Sequence, residues 1–307
     1  MTDYNIDFLI AGLVFLIFLL IHFQRYKKLN NISGRTFWFL IIAGIFDIIF
    51  DLLSSILLVK SNPAYNSWMI FFSTMLYILQ MIVVYIFFNY TQALRHCDED
   101  IRTRNIKIMA VPILCMEVAI VTNVLHKQFF YCNEQGQYVH GKAYLVTYIF
   151  TLICIAVVII NCFINQEEYQ KNELRAIKEF LGVALVCVTV QMKFQSVLMT
   201  GFGLSLGITI LFWALYNPQL YIDSLTGSYS KGYFRRWFPE QIKRKRELHL
   251  LMIDLWKLKQ VNKLYGVTIG DELLIQIAEY LHKINETNHV FRIHGNRFFV
   301  FTSSLMN

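Results

Sequence analysis

Two carboxylates lie inside one of the longest apolar runs of the sequence, at the spacing of successive turns of a helix. Asp47 and Asp51, with Ser54 and Ser55, fall on one face of the helix that the run at residues 36–59 predicts. A carboxylate in hydrocarbon is costly, so it normally faces the interior of a helix bundle and marks a functional site. Such a site would favour a cationic or hydrogen-bond-donating ligand.

The same carboxylates also have a structural interpretation. In that alternative, Asp47 and Asp51 are protonated, or Gln80, Tyr77 or a neighbouring backbone group hydrogen-bonds them, and the bonds join helices within the membrane. A third carboxylate, Glu117, lies in another apolar run and has the same two interpretations. The sequence alone leaves the choice open.

A second group of polar residues lies near the C-terminal end of the sequence, in a predicted hairpin. The stretch VFRIHGNRFFVF, residues 290–301, is an apolar run that a polar turn interrupts, which is typical of two strands joined tightly. The turn carries His294, Gly295, Asn296 and Arg297. It therefore offers an imidazole, an amide and a guanidinium group, and no carboxylate.

The composition indicates which environment must position these groups. The chain of 307 residues is 56% hydrophobic and only 16% charged, which is too apolar for an ordinary soluble domain. Apolar runs long enough for helices that cross a hydrocarbon layer of roughly 30 Å predict a multi-pass helical bundle in a lipid bilayer, with about seven spans. The runs lie near residues 7–23, 36–59, 68–93, 106–126, 143–165, 176–192 and 196–216.

The basic residues of the predicted loops indicate the orientation of the bundle. Positive loops stay on the cytoplasmic side, so the N-terminus is predicted outside and everything after residue 217 inside. Residues 129–142 then form an external loop, predicted to be an ordinary hairpin. The net charge of +7 is explained by charge that flanks the membrane, so no nucleic-acid partner is indicated. The loops predicted on the cytoplasmic side carry eleven basic residues, Arg25, Lys27, Lys28, Arg35, Arg95, Arg102, Arg104, Lys107, Lys171, Arg175 and Lys178. The loops predicted outside carry four, Lys60, Lys127, Lys142 and Lys193.

A soluble segment follows the bundle. The sequence therefore divides into a seven-helix membrane region, residues 1–216, and a C-terminal domain, residues 217–307. An Asn-Pro pair at 217–218 ends the last membrane helix. Helices that alternate with strands predict a partial α/β or α+β domain. The predicted order is a basic amphipathic helix at 229–246, a strand buried on both faces at 247–253, an amphipathic helix at 268–284 and the hairpin.

Three stretches of this segment resemble the signature stretches of one family, in order and in spacing. They are DSLTGSYSKGYF at 223–234, LLMIDLWKLKQVNKLYGVTIGDELL at 250–274 and RIHGNRFFVF at 292–301. They are similar to the GGDEF domain of diguanylate cyclases, enzymes that join two GTP molecules into cyclic di-GMP between two such domains. The resemblance implies a nucleotide-cyclase-like α/β fold, a homodimer, and Mg²⁺ and GTP as cofactor and substrate if the site is functional.

The resemblance implies roles for four residues of this sequence. Asp254, at the end of the predicted strand, corresponds to a carboxylate that binds the metal. Lys259 corresponds to a lysine that contacts phosphate, and Asn262 and Asp271 correspond to residues that recognise guanine. The chemistry requires carboxylates that hold divalent cations on the triphosphate.

Other positions depart from the family pattern, and most of them belong to the metal-binding half. Trp256 stands where a second aspartate is usual, and Asn296 and Arg297 replace two acidic residues of the hairpin. His294 replaces a glycine. An amide is a weak magnesium ligand and a guanidinium repels the metal. The Arg-x-x-Asp motif that the family uses to bind its product is also absent, because residues 285–288 read NETN.

The stretches that resemble the family cover only the first part of the family's domain. Members of the family continue past the hairpin with at least one more helix and strand, so a domain that ended at residue 307 would be truncated and would leave a sheet edge uncovered. The expectation is a half-domain that pairs with a partner, stays partly ordered, or continues in a longer protein.

Three functions remain open on this basis. The first, and the one that we favour, is a membrane-embedded sensor of the cyclic di-GMP pathway with a catalytically inactive, degenerate GGDEF-like domain. The second is an active diguanylate cyclase. The third is a regulatory module that binds GTP without turnover through Lys259, Asn262 and Asp271. In the favoured function, a small ligand acts on the membrane region and residues 213–223 transmit the signal.

Overall fold

The computed structural model describes residues 6–24, 32–60, 63–194, 197–215, 222–243, 249–284 and 289–302. The chain forms two compact units, Met1–Leu215 and Tyr216–Asn307. The first unit is helical and the second combines helices with a sheet. The sequence NETN at 285–288 and most of the connecting residues between the units lie outside the described residues.

Long helices occupy the seven apolar runs of the first unit. A short hairpin of two strands lies between the fourth and the fifth of these helices, as the sequence predicts for residues 129–142. The elements are α1 Asp7–Gln24, α2 Ile32–Lys60, α3 Asn66–Leu94, α4 Glu99–Val121, α5 Asn123–His126, β1 Phe130–Cys132, β2 Tyr138–His140, α6 Tyr144–Ile164, α7 Lys171–Lys193 and α8 Thr200–Leu215.

Four of these helices, among the described residues, are long and apolar enough to cross a membrane: α1, α2, α3 and α6. The first turns of α4 and α7 are charged, which leaves each a shorter apolar stretch, and α8 has only 16 residues. Since an α-helix rises 1.5 Å per residue, such stretches fall short of a roughly 30 Å layer. The count of seven spans therefore stays a prediction.

Glycines bring α8 against α7. A Cβ on Gly203 would lie 2.5 Å from the Sγ of Cys187, and one on Gly207 would lie 2.6 Å from the ring of Phe180. Both distances are too short for a real side chain, so the close approach depends on glycine. It fixes Phe180 and Cys187 on the inner side of α7.

Polar bonds hold the C-terminal end of α3 to the end of α6 and to the segment after it. Arg95, only 7% exposed, pairs with Glu168 and donates from Nη2 to Oδ1 of Asn165 at 2.6 Å. One helix turn earlier, Gln92 donates to Asn161 at 2.9 Å. Because these groups are mostly buried, they hold this end of the bundle in one arrangement.

The second unit is a mixed four-stranded sheet with helices on both faces. The strand order is β3-β5-β6-β4; β3 pairs with β5 in parallel and the other pairs are antiparallel. This confirms the prediction of a domain that combines helices with a sheet. The elements are β3 Tyr229–Ser230, α9 Lys231–Lys243, β4 His249–Asp254, α10 Leu258–Tyr265, α11 Val267–Ile284, β5 His289–His294 and β6 Arg297–Thr302.

Side chains that point alternately to the two faces of the sheet form two hydrophobic cores, one on each face. On one face Leu274 and Ala278 of α11 pack against Phe298 and Val300. On the other face, aromatic side chains of α9 cover the intervening residues of β5 and β6, with ring centroids 4.9 to 5.5 Å apart. That aromatic cluster comprises Phe234, Trp237, Phe291, Phe299 and Phe301. The cores fix the register of the hairpin.

Some predicted elements differ from the structure. The basic helix begins at Lys231, not at 229, because residues 229–230 form β3. The prediction that the strand at 247–253 is buried on both faces was wrong: Leu250, Leu251 and Met252 of β4 are 48%, 53% and 59% exposed. Among the described residues, β4 pairs with β6 alone, so its continuous apolar run belongs to an edge strand. Helix α10 was not predicted.

Candidate functional site

The hairpin places its polar residues beside the end of β4. Strand β5 ends at His294 and β6 begins at Arg297, so Gly295 and Asn296 form a two-residue turn. In the antiparallel pair of β4 with β6, Arg297 stands opposite Asp254. Partners opposite each other in an antiparallel pair project to the same side of the sheet. The register therefore brings the predicted metal ligand beside the hairpin positions that the family resemblance predicts to be acidic.

Both carboxylate oxygens of Asp254 are hydrogen-bonded by the hairpin. Asn296 Nδ2 donates to Oδ1 at 2.5 Å and Arg297 Nε donates to Oδ2 at 2.7 Å. The turn is also tied to the chain that follows β4, because the backbone N–H of Leu255 donates to the carbonyl oxygen of Asn296 at 3.0 Å. Asp254 thus has an N–H donor on each oxygen, and one of the two donors carries a positive charge.

The residues present do not fit a magnesium site. Magnesium needs several oxygen ligands in octahedral geometry, and carboxylates normally supply the charge. Here the oxygens of Asp254 face an amide and a guanidinium group, and Trp256, 85% exposed, brings no oxygen. Within the described part of the chain, no group of three or more His, Cys, Asp or Glu side chains could hold a metal ion.

The remaining hairpin residue also has a partner within the domain. The ammonium group of Lys231, at the start of α9, donates to Nε2 of His294 at 2.9 Å. An ammonium group has no lone pair, so Nε2 is the acceptor and the imidazole proton is on Nδ1. His294, Asn296 and Arg297 are all engaged inside the domain.

Sequence reasoning missed an ion pair, between Arg292 and Asp223, that stabilises the hairpin. Arg292 Nη1 donates to Oδ1 of Asp223 at 2.7 Å, and Arg292 Nε donates to the carbonyl oxygen of Gly295 at 3.1 Å. Partial burial opposes ionisation of Asp223, but hydrogen bonds from Arg292 and Thr226 outweigh it and lower its pKa. The local signal was the spacing of Asp223 and Thr226, which is typical of a turn closed by an aspartate. No local signal pointed to Arg292.

The predicted nucleotide-binding residues lie on α10 and α11. Lys259 is exposed on α10, while Asn262 on α10 and Asp271 on α11 are half-buried. The Oδ1 of Asn262 is buried and has no hydrogen-bond partner in the described part of the chain. It lies against Gly270, where an added Cβ would be 1.8 Å away. The three residues therefore flank the α10–α11 corner.

The intramembrane candidates lie where helical spacing predicts. Asp47 and Asp51 are 4% and 5% exposed on α2, and Ser54 and Ser55 on the same face are also buried. Ser54 donates to the backbone oxygen of Asp51 at 2.9 Å. Glu117 on α4 is only half-buried.

Comparison with known proteins concerns the C-terminal unit. No curated protein matches the chain significantly. One similar solved structure is the X-ray structure of a diguanylate cyclase/phosphodiesterase from Caldicellulosiruptor saccharolyticus; the identity is 28%, the TM-score is 0.27, and the match covers 28% of this chain and 54% of that one. The present chain thus spans about half the length of that protein. Residues 220–307 match the family described as "Diguanylate cyclase, GGDEF domain". The C-terminal unit of this chain is therefore a GGDEF domain, and it follows a mostly helical region whose described residues include four candidate membrane spans.

Proposed function

We propose that this chain is a membrane-embedded signalling protein of the cyclic di-GMP pathway whose GGDEF domain makes no cyclic di-GMP. The observation that carries the proposal is the pairing of Asp254 with Asn296 and Arg297. Metal-dependent phosphoryl chemistry needs this carboxylate free to bind a cation. In this domain the carboxylate is bonded to the residues that replace its acidic neighbours.

The positive charge of Arg297 supports the proposal more than the strength of its ion pair with Asp254 does. The Arg297 side chain is 54% exposed and that of Asp254 is 37% exposed, so the pair contributes only about 0–1 kcal/mol to stability. A weak pair is not a barrier in itself. However, a metal that displaced Arg297 would gain one carboxylate and would keep a guanidinium group nearby, whose repulsion opposes binding.

Cyclic di-GMP synthesis by the purified full chain tests the proposal. The chain in lipid nanodiscs receives GTP and Mg²⁺, and mass spectrometry quantifies the product, with Asp254→Asn as the matched control. We expect wild-type chain and control to give the same background. Product that forms with the wild type and disappears with Asp254→Asn would establish an active cyclase instead.

A second candidate function is GTP binding without turnover. It is favoured by the Oδ1 of Asn262, which is buried and has no hydrogen-bond partner among the described residues. A guanine donor could supply that bond. Equilibrium binding of GTP that Asn262→Ala and Asp271→Ala each weaken, and that Lys263→Ala on the exposed side of α10 leaves unchanged, would support this function. Absence of saturable GTP binding would exclude it.

The proposal assigns sensing to the helical unit. The orientation predicted for the membrane helices places the C-terminal unit in the cytoplasm. Only residues 216–221 separate α8 from Ile222. A displacement of α8 would therefore reach the GGDEF domain through a short connector, and a homodimer formed through that domain would respond to it. Topology mapping with cysteine labels in the β1–β2 hairpin tests the orientation, because only an external hairpin reacts with a reagent that does not cross the membrane.

A further inference from the structure

Two adjacent cavities lie inside the helical unit, on the side of α2 that carries the carboxylates. The first has a volume of about 130 Å³ and is lined by Asp47 together with Phe87 and Phe180. The second, of about 80 Å³, is lined by Asp51 and extends to Tyr138 of the β1–β2 hairpin. Gln80, Tyr148 and Gln191 line both cavities, so the two spaces are neighbours around these shared side chains.

A buried carboxylate oxygen without a partner borders the first cavity. Asp47 is 4% exposed, and its Oδ1 has no hydrogen-bond partner within the described part of the chain. The Oγ1 of Thr200, which lines the same cavity, also has none there. Buried polar groups are normally satisfied, so groups left open toward a cavity point to something that occupies it. This observation disfavours the structural role in which Gln80 or Tyr77 satisfies Asp47.

The pair of carboxylates favours a positively charged occupant. Asp47 and Asp51 are four residues apart on α2, so they are neighbours on one helix face, and both are buried. Ionised carboxylates in such a place repel each other and lose their hydration, so the pair either takes up protons or binds a positive group. A single positive group between them offsets both effects.

The walls favour an organic cation over a metal ion. Calcium and magnesium need about six oxygen ligands, whereas the first cavity offers mainly apolar and aromatic surface from α3, α6 and α7, including Phe87, Val158 and Phe180. Aromatic faces also attract ammonium groups. A volume of about 130 Å³ is comparable with the roughly 150 Å³ apolar cavity that binds benzene.

We propose that the two cavities form a binding site for a small organic ammonium compound, with the ammonium group between Asp47 and Asp51 and a hydrocarbon part of about benzene size in the first cavity. The second cavity extends to the β1–β2 hairpin, which the predicted orientation places outside, so the ligand enters from that side. The inference names the ligand class of the sensing role proposed above. Its binding needs no nucleotide, so its failure and the failure of the catalytic proposal are distinguishable.

Binding of benzylamine to the full chain tests the inference. The chain is placed in nanodiscs of neutral phosphatidylcholine, which avoids attraction of amines to anionic lipid, and isothermal titration calorimetry compares benzylamine with the neutral benzyl alcohol. We expect one saturable site per chain and at least tenfold tighter binding of the amine. Asp47→Asn and Asp51→Asn should each weaken amine binding at least tenfold. Glu117→Gln, a carboxylate in a helix away from both cavities, should leave it unchanged.

A second variant keeps the test decisive if an aspartate substitution impairs folding. Ala184→Phe fills the first cavity and leaves both carboxylates in place, so it should abolish benzylamine binding while the helical circular dichroism remains that of the wild type. The inference is overturned if butylamine, benzylamine and phenethylamine all fail to bind saturably. It is also overturned if the amine binds no tighter than the alcohol, or equally well to Asp47→Asn or Ala184→Phe variants with native circular dichroism.

Discussion

Arg297 directs Nε at Oδ2 of Asp254 over 2.7 Å, across the antiparallel pair of β4 and β6. The contact joins the predicted metal ligand to a residue at a position that the family resemblance predicts to be acidic. Asn296 covers the second oxygen in the same way. Asn296 and Arg297 therefore act on Asp254 directly, and the consequences can be tested by replacing them with carboxylates.

Reversal of the hairpin charges should create affinity for Mg²⁺. In Asn296→Asp/Arg297→Glu, two new carboxylates would surround Asp254 in place of the donors. Without metal, like charges repel and the domain should be less stable than wild type; Mg²⁺ at ten times its Kd should restore about 1.4 kcal/mol. Calorimetric unfolding with and without Mg²⁺ measures this. Wild-type chain, and a Lys263→Glu control with an altered charge elsewhere on the domain, should show no such restoration. An equal response of all three would contradict the account.

Low pH should lower the stability of the GGDEF domain because it protonates Asp223. Its pKa is lowered in the folded state, so its ion pair with Arg292 stabilises the fold fully above the unfolded pKa of about 3.9. That contribution is lost as the pH falls through the lower folded pKa. Asp223→Asn should cost about 1–2 kcal/mol at pH 7, and the cost should be smaller at pH 3, which lies below the unfolded pKa. Urea unfolding at both values measures the difference, and Glu272→Gln on the exposed side of α11 serves as the control. A cost of Asp223→Asn that does not change with pH would show that its charge is irrelevant.

Gly270 should be intolerant of a side chain because of Asn262. A Cβ at this position would lie 1.8 Å from Oδ1 and 2.9 Å from Cγ of Asn262, so that side chain must move. Gly270→Ala is expected to destabilise the domain by about 1–3 kcal/mol. In Gly270→Ala/Asn262→Ala the clash disappears, so the two changes should be strongly non-additive in a double-mutant cycle. Gly295→Ala provides the control, because no atom of the described residues lies within 4 Å of the Cβ that it adds. Additive effects would place the Asn262 side chain elsewhere.

Arg95 should be important for the helical unit and not for the GGDEF domain. Truncation in Arg95→Ala leaves Glu168 and Asn165 without their donor at a mostly buried position, which typically costs about 2–3 kcal/mol. Thermal unfolding of the helical unit in nanodiscs should shift downward, and Arg95→Lys should recover part of the loss. Arg102→Ala removes a more exposed pair on α4 and is the matched control. Equal effects of both alanine variants would contradict a special role for Arg95.

The spacing of polar and apolar residues was sufficient to predict the parts of the structure that local geometry determines. The four-residue spacing of Asp47 and Asp51 predicted a shared helix face, and both side chains are buried together. The apolar run with a polar break at 290–301 predicted the hairpin, and its strands pair as expected. In both cases the signal lies within a few residues of the structure that it predicts.

Long-range pairing determined what sequence could not predict. The contact of Arg297 with Asp254 depends on the register between strands that are 43 residues apart, and the contact of Arg292 with Asp223 joins residues 69 apart. The edge position of β4 depends on strand order, so its apolar run was misinterpreted as a strand buried on both faces. The cavities beside Asp47 required the packing of several helices.

The most direct test of the central claim is a single-turnover reaction with radiolabelled GTP. The full chain is reconstituted at high density in liposomes, so that two copies can meet, and is used in molar excess over GTP with Mg²⁺. Even a slow cyclase would then convert much of the label. Because the oxygens of Asp254 are held by Asn296 and Arg297, we predict that no label enters cyclic di-GMP. Label that enters cyclic di-GMP with the wild-type chain, and fails to do so with Asp254→Asn, would contradict the account.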